Sequence, residues 1–266
     1  VNSWQNYIIE DSEVIKANGT KVPAEVNDNE MVFTNLEVGD MVFFRYKLYS
    51  YPKGQLANKY WDTFYFSHSY PYLKTTYNLL IAKDRPFDYK FSQAQIDPVK
   101  KDAEEFDLYT WNQENVASLK LEDNMPALSD VANVLHLSTI PNWNFISNWY
   151  NDLATAKAKP NYEVKEAVKM LFKVNERPTQ LQKAEKIYDY ITQNVTYSSV
   201  SFRQSGLVPQ NPSTVLNTRI GDCKDVSTLF VSMAMEADMD AQLVLANTSD
   251  NGLKSMLMPS IIFNHC

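Results

Sequence analysis

The chain has 266 residues, 44 % of them hydrophobic, with a net charge of −7 and an isoelectric point of about 5.1. That length suggests two domains with sizeable cores. The acidic balance, with no basic patch, argues against a nucleic-acid partner, and no apolar run approaches the ~18 residues of a membrane span. Two cysteines make no disulfide framework. With three histidines they show no metal-ligand spacing, so no metal or other cofactor is expected.

The first half reads as strands. β-Branched and aromatic runs recur with turn signals between them. Glu13-Val14-Ile15-Lys16 meets Thr20-Lys21-Val22 across Asn18-Gly19, a hairpin signal. Met31-Val32-Phe33 precedes the turn Val38-Gly39-Asp40. Further strands are expected over 41–49, 63–66, 74–81, 87–91, 108–111 and 116–121. A β-sandwich is the expected packing. His68 and His136 have no nearby ligand partners and read as surface or strand histidines.

The second half changes period. Pro141 to Lys157 predicts a helix carrying Ile146, Trp149, Tyr150 and Leu153, and Pro160 ends it. Val164, Ala167, Val168, Leu171 and Phe172 form a second stripe. Thr179 and Gln182 make a capping box ahead of Ala184, Ile187, Tyr188 and Ile191. After a Pro/Asn loop (Pro209 to Pro212) comes Gly221-Asp222-Cys223-Lys224-Asp225, followed by apolar residues at Val226, Leu229, Phe230, Met233 and Ala237. Asp222 is the expected N-cap, which puts Cys223 in the first helical turn. There the helix dipole and free N–H groups favour a thiolate. Lys224 and Asp225 read as a solvated face and a helix-end charge. Strands are expected over Ala241 to Ala246 and Ser260 to Cys266, the second bearing His265, the natural base to pair with Cys223. The domain boundary is expected between Asp130 and Pro141.

These pieces carry a resemblance. Ile187-Tyr188-Asp189-Tyr190-Ile191, Val195-Thr196-Tyr197, Gly221-Asp222-Cys223-Lys224-Asp225 and Phe263-Asn264-His265 resemble the transglutaminase-like core of bacterial proteins. The front half is similar to the β-rich domain of unknown function that precedes such cores. Its matching pieces are Phe33-Thr34-Asn35-Leu36-Glu37-Val38-Gly39-Asp40, Tyr109-Thr110-Trp111-Asn112, Glu122-Asp123-Asn124-Met125-Pro126 and Trp149-Tyr150. The resemblance implies an α+β chain, with an N-terminal β-sandwich over 1–135 followed by a papain-like transglutaminase core over 136–266. It implies a Cys-His-Asp triad with Cys223 as nucleophile and His265 as general base. Family members place the acidic third member on a strand after the histidine. This chain stops at Cys266, so the C-terminal strands are expected to be missing, and the full-length protein to carry more chain or a further C-terminal domain. Where the family tends to carry glycine after the nucleophile helix, this chain has Glu236-Ala237-Asp238-Met239-Asp240, and Asp238 is expected in the left-handed C-cap conformation.

The expected chemistry follows from the residues. A thiolate attacks an amide carbonyl to form a thioester, imidazole moves the proton, and water or an amine resolves the acyl-enzyme. The backbone N–H of Cys223 is one expected oxyanion donor; Tyr197, Gln204 and Gln210 are candidates for the second. The substrate expected is a peptide or protein. Hydrolysis is expected ahead of cross-linking, because no calcium loop or acyl-acceptor site is visible. The alternative is an inactive binding or scaffold module that keeps the fold. A Cys223–Cys266 disulfide is a further alternative, though strand alternation would turn Cys266 away from a site that His265 faces. Val1 opens the chain without a visible signal peptide, and the composition fits an exported, periplasmic or envelope protein.

Overall fold

A computed structural model describes residues 5–27, 30–173, 175–198 and 206–266. The chain divides into two compact units, Val1–Asn58 and Lys59–Cys266. In the first, β1 (Gln5–Ile15) lies between β2 (Lys21–Pro23) and β5 (Met41–Ser50), all antiparallel, and β3 (Glu25–Asn27) pairs with β4 (Glu30–Val32) as a separate ribbon. The Asn18-Gly19 hairpin forms as expected: Val14 faces Val22, and Gly19 takes a φ of 85°. The second expected turn is pinned by charge. Asp40 accepts from Lys16 Nζ and from the Glu37 N–H, both at 2.8 Å. The Lys16 hydrogen bond holds the Asp40 carboxyl below the usual carboxylate range.

The second unit opens with the sandwich. One sheet runs β7 (Tyr72–Ala82), β10 (Phe106–Val116), β9 (Val99–Ala103); the other runs β6 (Trp61–Tyr65), β11 (Val134–Ser138), β8 (Asp88–Phe91). Along β7, Thr75, Tyr77, Leu79 and Ile81 are buried while Thr76, Asn78 and Leu80 face out, the alternation of a half-covered strand. The inner residues Tyr77, Leu79, Ile81 and Trp111 of the first sheet pack against Leu135 and Leu137 of the second, with Phe66 beside them. Tyr89 meets Trp111 edge-on at 5.2 Å between ring centroids, a favoured aromatic geometry. One polar tie crosses the core: Tyr77 donates to Asp62 Oδ2 at 2.8 Å and shares a hydrogen bond with Tyr60. Burial pushes the Tyr77 phenol well above its ordinary range, so it remains a donor.

Two expectations about this half change. The sandwich is built from residues 61–138, and residues 5–50 form sheets of their own. A boundary at 135 falls inside β11, the central strand of the second sheet, whereas the compact units divide at Asn58. The strand expected over 116–121 is absent: β10 runs to Val116, which pairs with Tyr72 past the positive φ of 53° at Asn115, and no strand follows over 117–121.

A four-residue helix, α1 (Leu128–Val131), leads into β11, and α2 (Trp143–Ala158) follows it. The Asn142 side chain caps α2 by accepting from the Phe145 N–H, and Ile146, Trp149 and Tyr150 are buried as the stripe predicts. Then come α3 (Tyr162–Leu171), α4 (Gln180–Asn194), β12 (Thr196–Tyr197), α5 (Pro212–Thr218), β13 (Ile220–Gly221) and α6 (Cys223–Glu236). Val164, Ala167, Val168, Ile187, Ile191, Val215, Leu229 and Met233 form one core from α3, α4, α5 and α6. The Thr179–Gln182 capping box forms. Tyr188 departs from its expected place: it is 62 % exposed, and Tyr190, three residues after Ile187, packs on the core instead. Past α6, Asp238 takes the expected left-handed conformation with a φ of 53°. The strands expected over 241–246 and 260–266 shrink to one bridge between Ala246 and His265, because neither stretch has a ladder partner beyond it among the described residues.

All five residues of β11 are buried, so it is covered on both faces. Its second face carries His136 and Ser138, and Ser138 Oγ donates to the Pro259 carbonyl at 2.6 Å. The backbone of 251–254 is held nearby: Ser129 Oγ donates to Asn251 O at 2.6 Å, and Asp130 accepts from the Leu253 and Lys254 N–H groups at 3.0 and 2.7 Å. Gly252 makes that approach possible, with a φ of 87° and a position where a Cβ would stand 2.1 Å from Ser129 Oγ. Gly252→Ala should therefore destabilise the protein by roughly 2–4 kcal/mol. A melting temperature unchanged from wild type would show that this stretch is not held as described.

Of the two readings of His136, surface or strand, the strand one holds: it lies on β11 and is buried, 3 % exposed, with no hydrogen-bond partner for Nε2 among the described residues. Burial pushes its imidazole down to about 4 from the ordinary 6.5. Between those values the unfolded chain holds a proton that the folded chain lacks. Stability should be full above pH 6.5 and fall as pH drops towards 4, at up to about 1.4 kcal/mol per pH unit. Urea midpoints at pH 7 and pH 5 should differ less in His136→Gln than in wild type; an equal difference would assign the proton uptake elsewhere.

Candidate active site

Cys223 is the first residue of α6, and its placement starts with two acids. The Asp222 side chain accepts from the Asp225 N–H at 3.2 Å, and the Asp225 side chain accepts from the Asp222 N–H at 3.3 Å. The two orphan donors at the helix start are thus satisfied reciprocally. Asp222 is the cap that the sequence predicts. Asp225 is more than a helix-end charge: it is 1 % exposed and also accepts from the Gln210 backbone N–H at 2.8 Å and from Gln210 Nε2 at 2.5 Å. Lys224 is likewise buried, 8 % exposed, and donates to Asp222 Oδ2. The solvated face expected at 224–225 is in fact the packed base of the site.

The strand pair behind the cap brings in a phenol. β12 and β13 run parallel, with Tyr197 opposite Gly221. A Cβ at Gly221 would stand 3.1 Å from Asp225 Cβ and 3.3 Å from Val215 Cγ1, so glycine lets β13 press against α6. Tyr197 is 58 % exposed, and the charge on Cys223 acts on its phenol. Partial burial, then the charges of Cys223 and Asp222, push its phenol up. Of the three candidate oxyanion donors, Tyr197 is therefore at the nucleophile and Gln210 is committed to Asp225. Gln204 lies outside the described residues.

A second phenol arrives from α2. Tyr150 is buried, its hydroxyl lies 3.7 Å from Cys266 Sγ, and the charges of Cys266, Cys223 and Asp222 all act on it. Burial, then Cys266, pushes this phenol above its ordinary range, so it stays protonated. Sequence reasoning placed Tyr150 in a core stripe and missed this role; its 3.6-residue spacing carries no signal for a hydroxyl at the end of a buried ring.

Cys266 also differs from expectation. It is half-buried, its carbonyl accepts from Ser227 Oγ at 3.1 Å, and its sulfur senses Cys223, Lys224 and Asp222. Burial, before those charges, pushes its thiol up. It thus shares the environment of Cys223 instead of turning away from it. His265 is exposed and bonds through its backbone to Ala246, with N–H···O distances of 2.9 and 3.1 Å. Among the described residues no hydrogen bond or ion pair joins its ring to Cys223. Asn264 holds the segment by accepting from the Thr248 N–H at 2.9 Å and donating to Thr248 Oγ1 at 2.6 Å.

Tyr150 also borders a cleft of about 750 Å³ between α2, the end of α6 and residues 239–245, lined by Trp143, Ile146, Met235, Leu243 and Phe263 among others. Both cysteines are free thiols. No group of three or more His, Cys, Asp or Glu side chains fit to hold a metal occurs among the described residues. No helix among them is long and apolar enough to cross a membrane.

Comparison with known proteins matches this anatomy. Residues 167–259 match the transglutaminase-like superfamily, and residues 29–120 match a domain of unknown function, DUF3857. None of the curated proteins matches the chain. A crystal structure from Parabacteroides distasonis, of a protein described as a "putative protease", superposes with a TM-score of 0.71 at 17 % identity; it covers 88 % of this chain and 49 % of its own. This chain thus spans about half the length of that structure. A "putative cysteine protease" from Cytophaga hutchinsonii gives a TM-score of 0.26 at 12 % identity, over 68 % of this chain and 63 % of its own. The two matched regions, with α6 and its capped cysteine inside the second, identify the chain as one that carries a transglutaminase-like core behind a DUF3857 domain.

Proposed function

We propose that the chain carries the nucleophile half of a cysteine-dependent acyl-transfer site acting on peptide or isopeptide amides. The observation that supports it is the seating of Cys223: first residue of a doubly capped helix, partly exposed, with Tyr197 paired opposite the neighbouring Gly221. Cys223 stands at the positive helix end, which stabilises negative charge developing beside it, and reacts as a thiolate. That thiolate attacks the carbonyl carbon, and the negative charge passes to the carbonyl oxygen. The Cys223 N–H, at the helix start, and the Tyr197 hydroxyl are the donors proposed for that oxygen. The tetrahedral species collapses by expelling the amine, which takes a proton from the general acid, and leaves a thioester. Water or an amine then resolves the thioester.

His265 is the group proposed to carry those protons. Its neighbour Cys266 is already tied to α6 through Ser227, and among the described residues one bridge sets the register of the segment. A one-residue shift exchanges the two side chains across that face. The exposed imidazole favours a second reading, an inactive binding module in which Cys223 is kept only by its packing.

An electrophilic peptide probe, with intact-mass detection, separates the two readings. Wild type should form one adduct, on Cys223, and Cys223→Ser none. His265→Ala should slow adduct formation roughly 10²-fold or more if the imidazole takes the thiol proton. A His265→Ala rate equal to wild type would favour the binding module. The cap is tested separately: Asp225→Ala, which removes a buried carboxylate and three hydrogen bonds it accepts, should lower stability on the order of 2–4 kcal/mol. An unchanged urea midpoint would refute the role given to Asp225.

A further inference from the structure

We propose that Cys266 is a resolving thiol for Cys223, so that oxidation joins the two as a reversible disulfide and silences the nucleophile. Two hydrogen bonds place Cys266 beside the first turns of α6. Ser227, which holds the Cys266 carbonyl at 3.1 Å, lies four residues after Cys223 and so on the same face of α6, one turn along. The Tyr150 hydroxyl is 3.7 Å from Cys266 Sγ, and the charge on Cys223 acts on the same phenol. Both sulfurs are free and half-buried.

The two thiols suit different parts of the step. Cys223 stands at the start of α6 and is the sulfur that meets the oxidant first. Burial pushes the Cys266 thiol up, so it stays protonated until a sulfenic acid forms beside it. With hydrogen peroxide as oxidant, the Cys223 thiolate attacks one peroxide oxygen and the O–O bond breaks. Hydroxide leaves, takes a proton and becomes water, and Cys223 becomes a sulfenic acid. The Cys266 sulfur attacks that sulfur, the S–O bond breaks, and the departing hydroxide takes the Cys266 proton as a second water. Two thiols are oxidised and one peroxide is reduced to two waters. A dithiol reductant reverses the bond by thiol–disulfide exchange. A disulfide here also protects Cys223, because without a neighbouring thiol the sulfenic acid goes on to the irreversible sulfinic form.

The proposal rests on the acyl-transfer reading only for its consequence for activity, and the test keeps the two apart. The 266-residue chain is treated with hydrogen peroxide, alkylated, digested and mapped, and labelling of Cys223 by iodoacetamide is followed before and after dithiothreitol. Wild type should lose two hydrogens in intact mass and yield a Cys223–Cys266 linked peptide, with labelling lost and then fully recovered on reduction. Cys266→Ser should gain oxygen at Cys223 instead and recover little labelling. Cys266→Ala should do the same, which guards against a folding defect of one variant. An oxidised Cys223 beside a Cys266 that still alkylates, or equal recovery in wild type and both variants, would overturn the proposal. A linked peptide in a protein whose reduced form never accepts the peptide probe would leave the switch standing and remove the enzyme reading alone.

Discussion

The site depends on one buried carboxylate. Asp225 closes the reciprocal cap with Asp222, and through two further hydrogen bonds it fastens Gln210 to the start of α6. A buried carboxyl group with several N–H donors is held in one orientation, because each lost bond would leave a buried polar group without a partner. That fixes where the helix begins, and so where the Cys223 sulfur and N–H point. Lys224 pairs with Asp222 on the other side, and Gly221 lets β13 and Tyr197 come close. The Gly-Asp-Cys-Lys-Asp run is thus a packed unit in which four residues seat the fifth.

The rest of the second unit supplies walls. β11 is covered on both faces, by the aromatic core of the sandwich on one side and on the other by a face whose Ser138 is tied to Pro259. The stretch between α6 and His265 is held to 129–130 through the close approach at Gly252. α2 follows β11 directly and delivers the Tyr150 hydroxyl to the Cys266 sulfur. Tyr150 lies outside the region matched to the transglutaminase-like superfamily, so the surroundings of Cys223 draw on more of the chain than that core.

The last segment is the least constrained part of the site. A β-ladder fixes which side chains face inwards because every pair enforces the alternation. Here one bridge, Ala246 to His265, does that work, helped by Asn264 on Thr248. The thiol of Cys266, and not the imidazole beside it, shares the environment of Cys223. Its carbonyl is anchored by Ser227, so the backbone is already at the helix while the side-chain choice rests on few bonds.

Much of this was legible in the sequence. Helix stripes at 3.6-residue spacing marked α2, α3, α4 and α6, because burying one face is a local demand on the pattern. The caps at Thr179 and Asp222 and the turns at Gly19 and Asp238 could be read for the same reason: each is satisfied within a few residues. What the sequence left undetermined depends on partners distant along the chain. Asp225 and Lys224 look like surface charges until Gln210 and Asp222 close over them. His136 looks like an ordinary strand residue until a second layer covers β11. Tyr188 and Tyr190 are told apart only by the helix they meet, and whether Cys266 or His265 turns towards Cys223 is decided by Ser227 and Tyr150, from two different helices. Local hydrogen bonds and periodicity are written into neighbouring residues; burial, and the choice of which side chain occupies a shared space, exist only once the layers have packed.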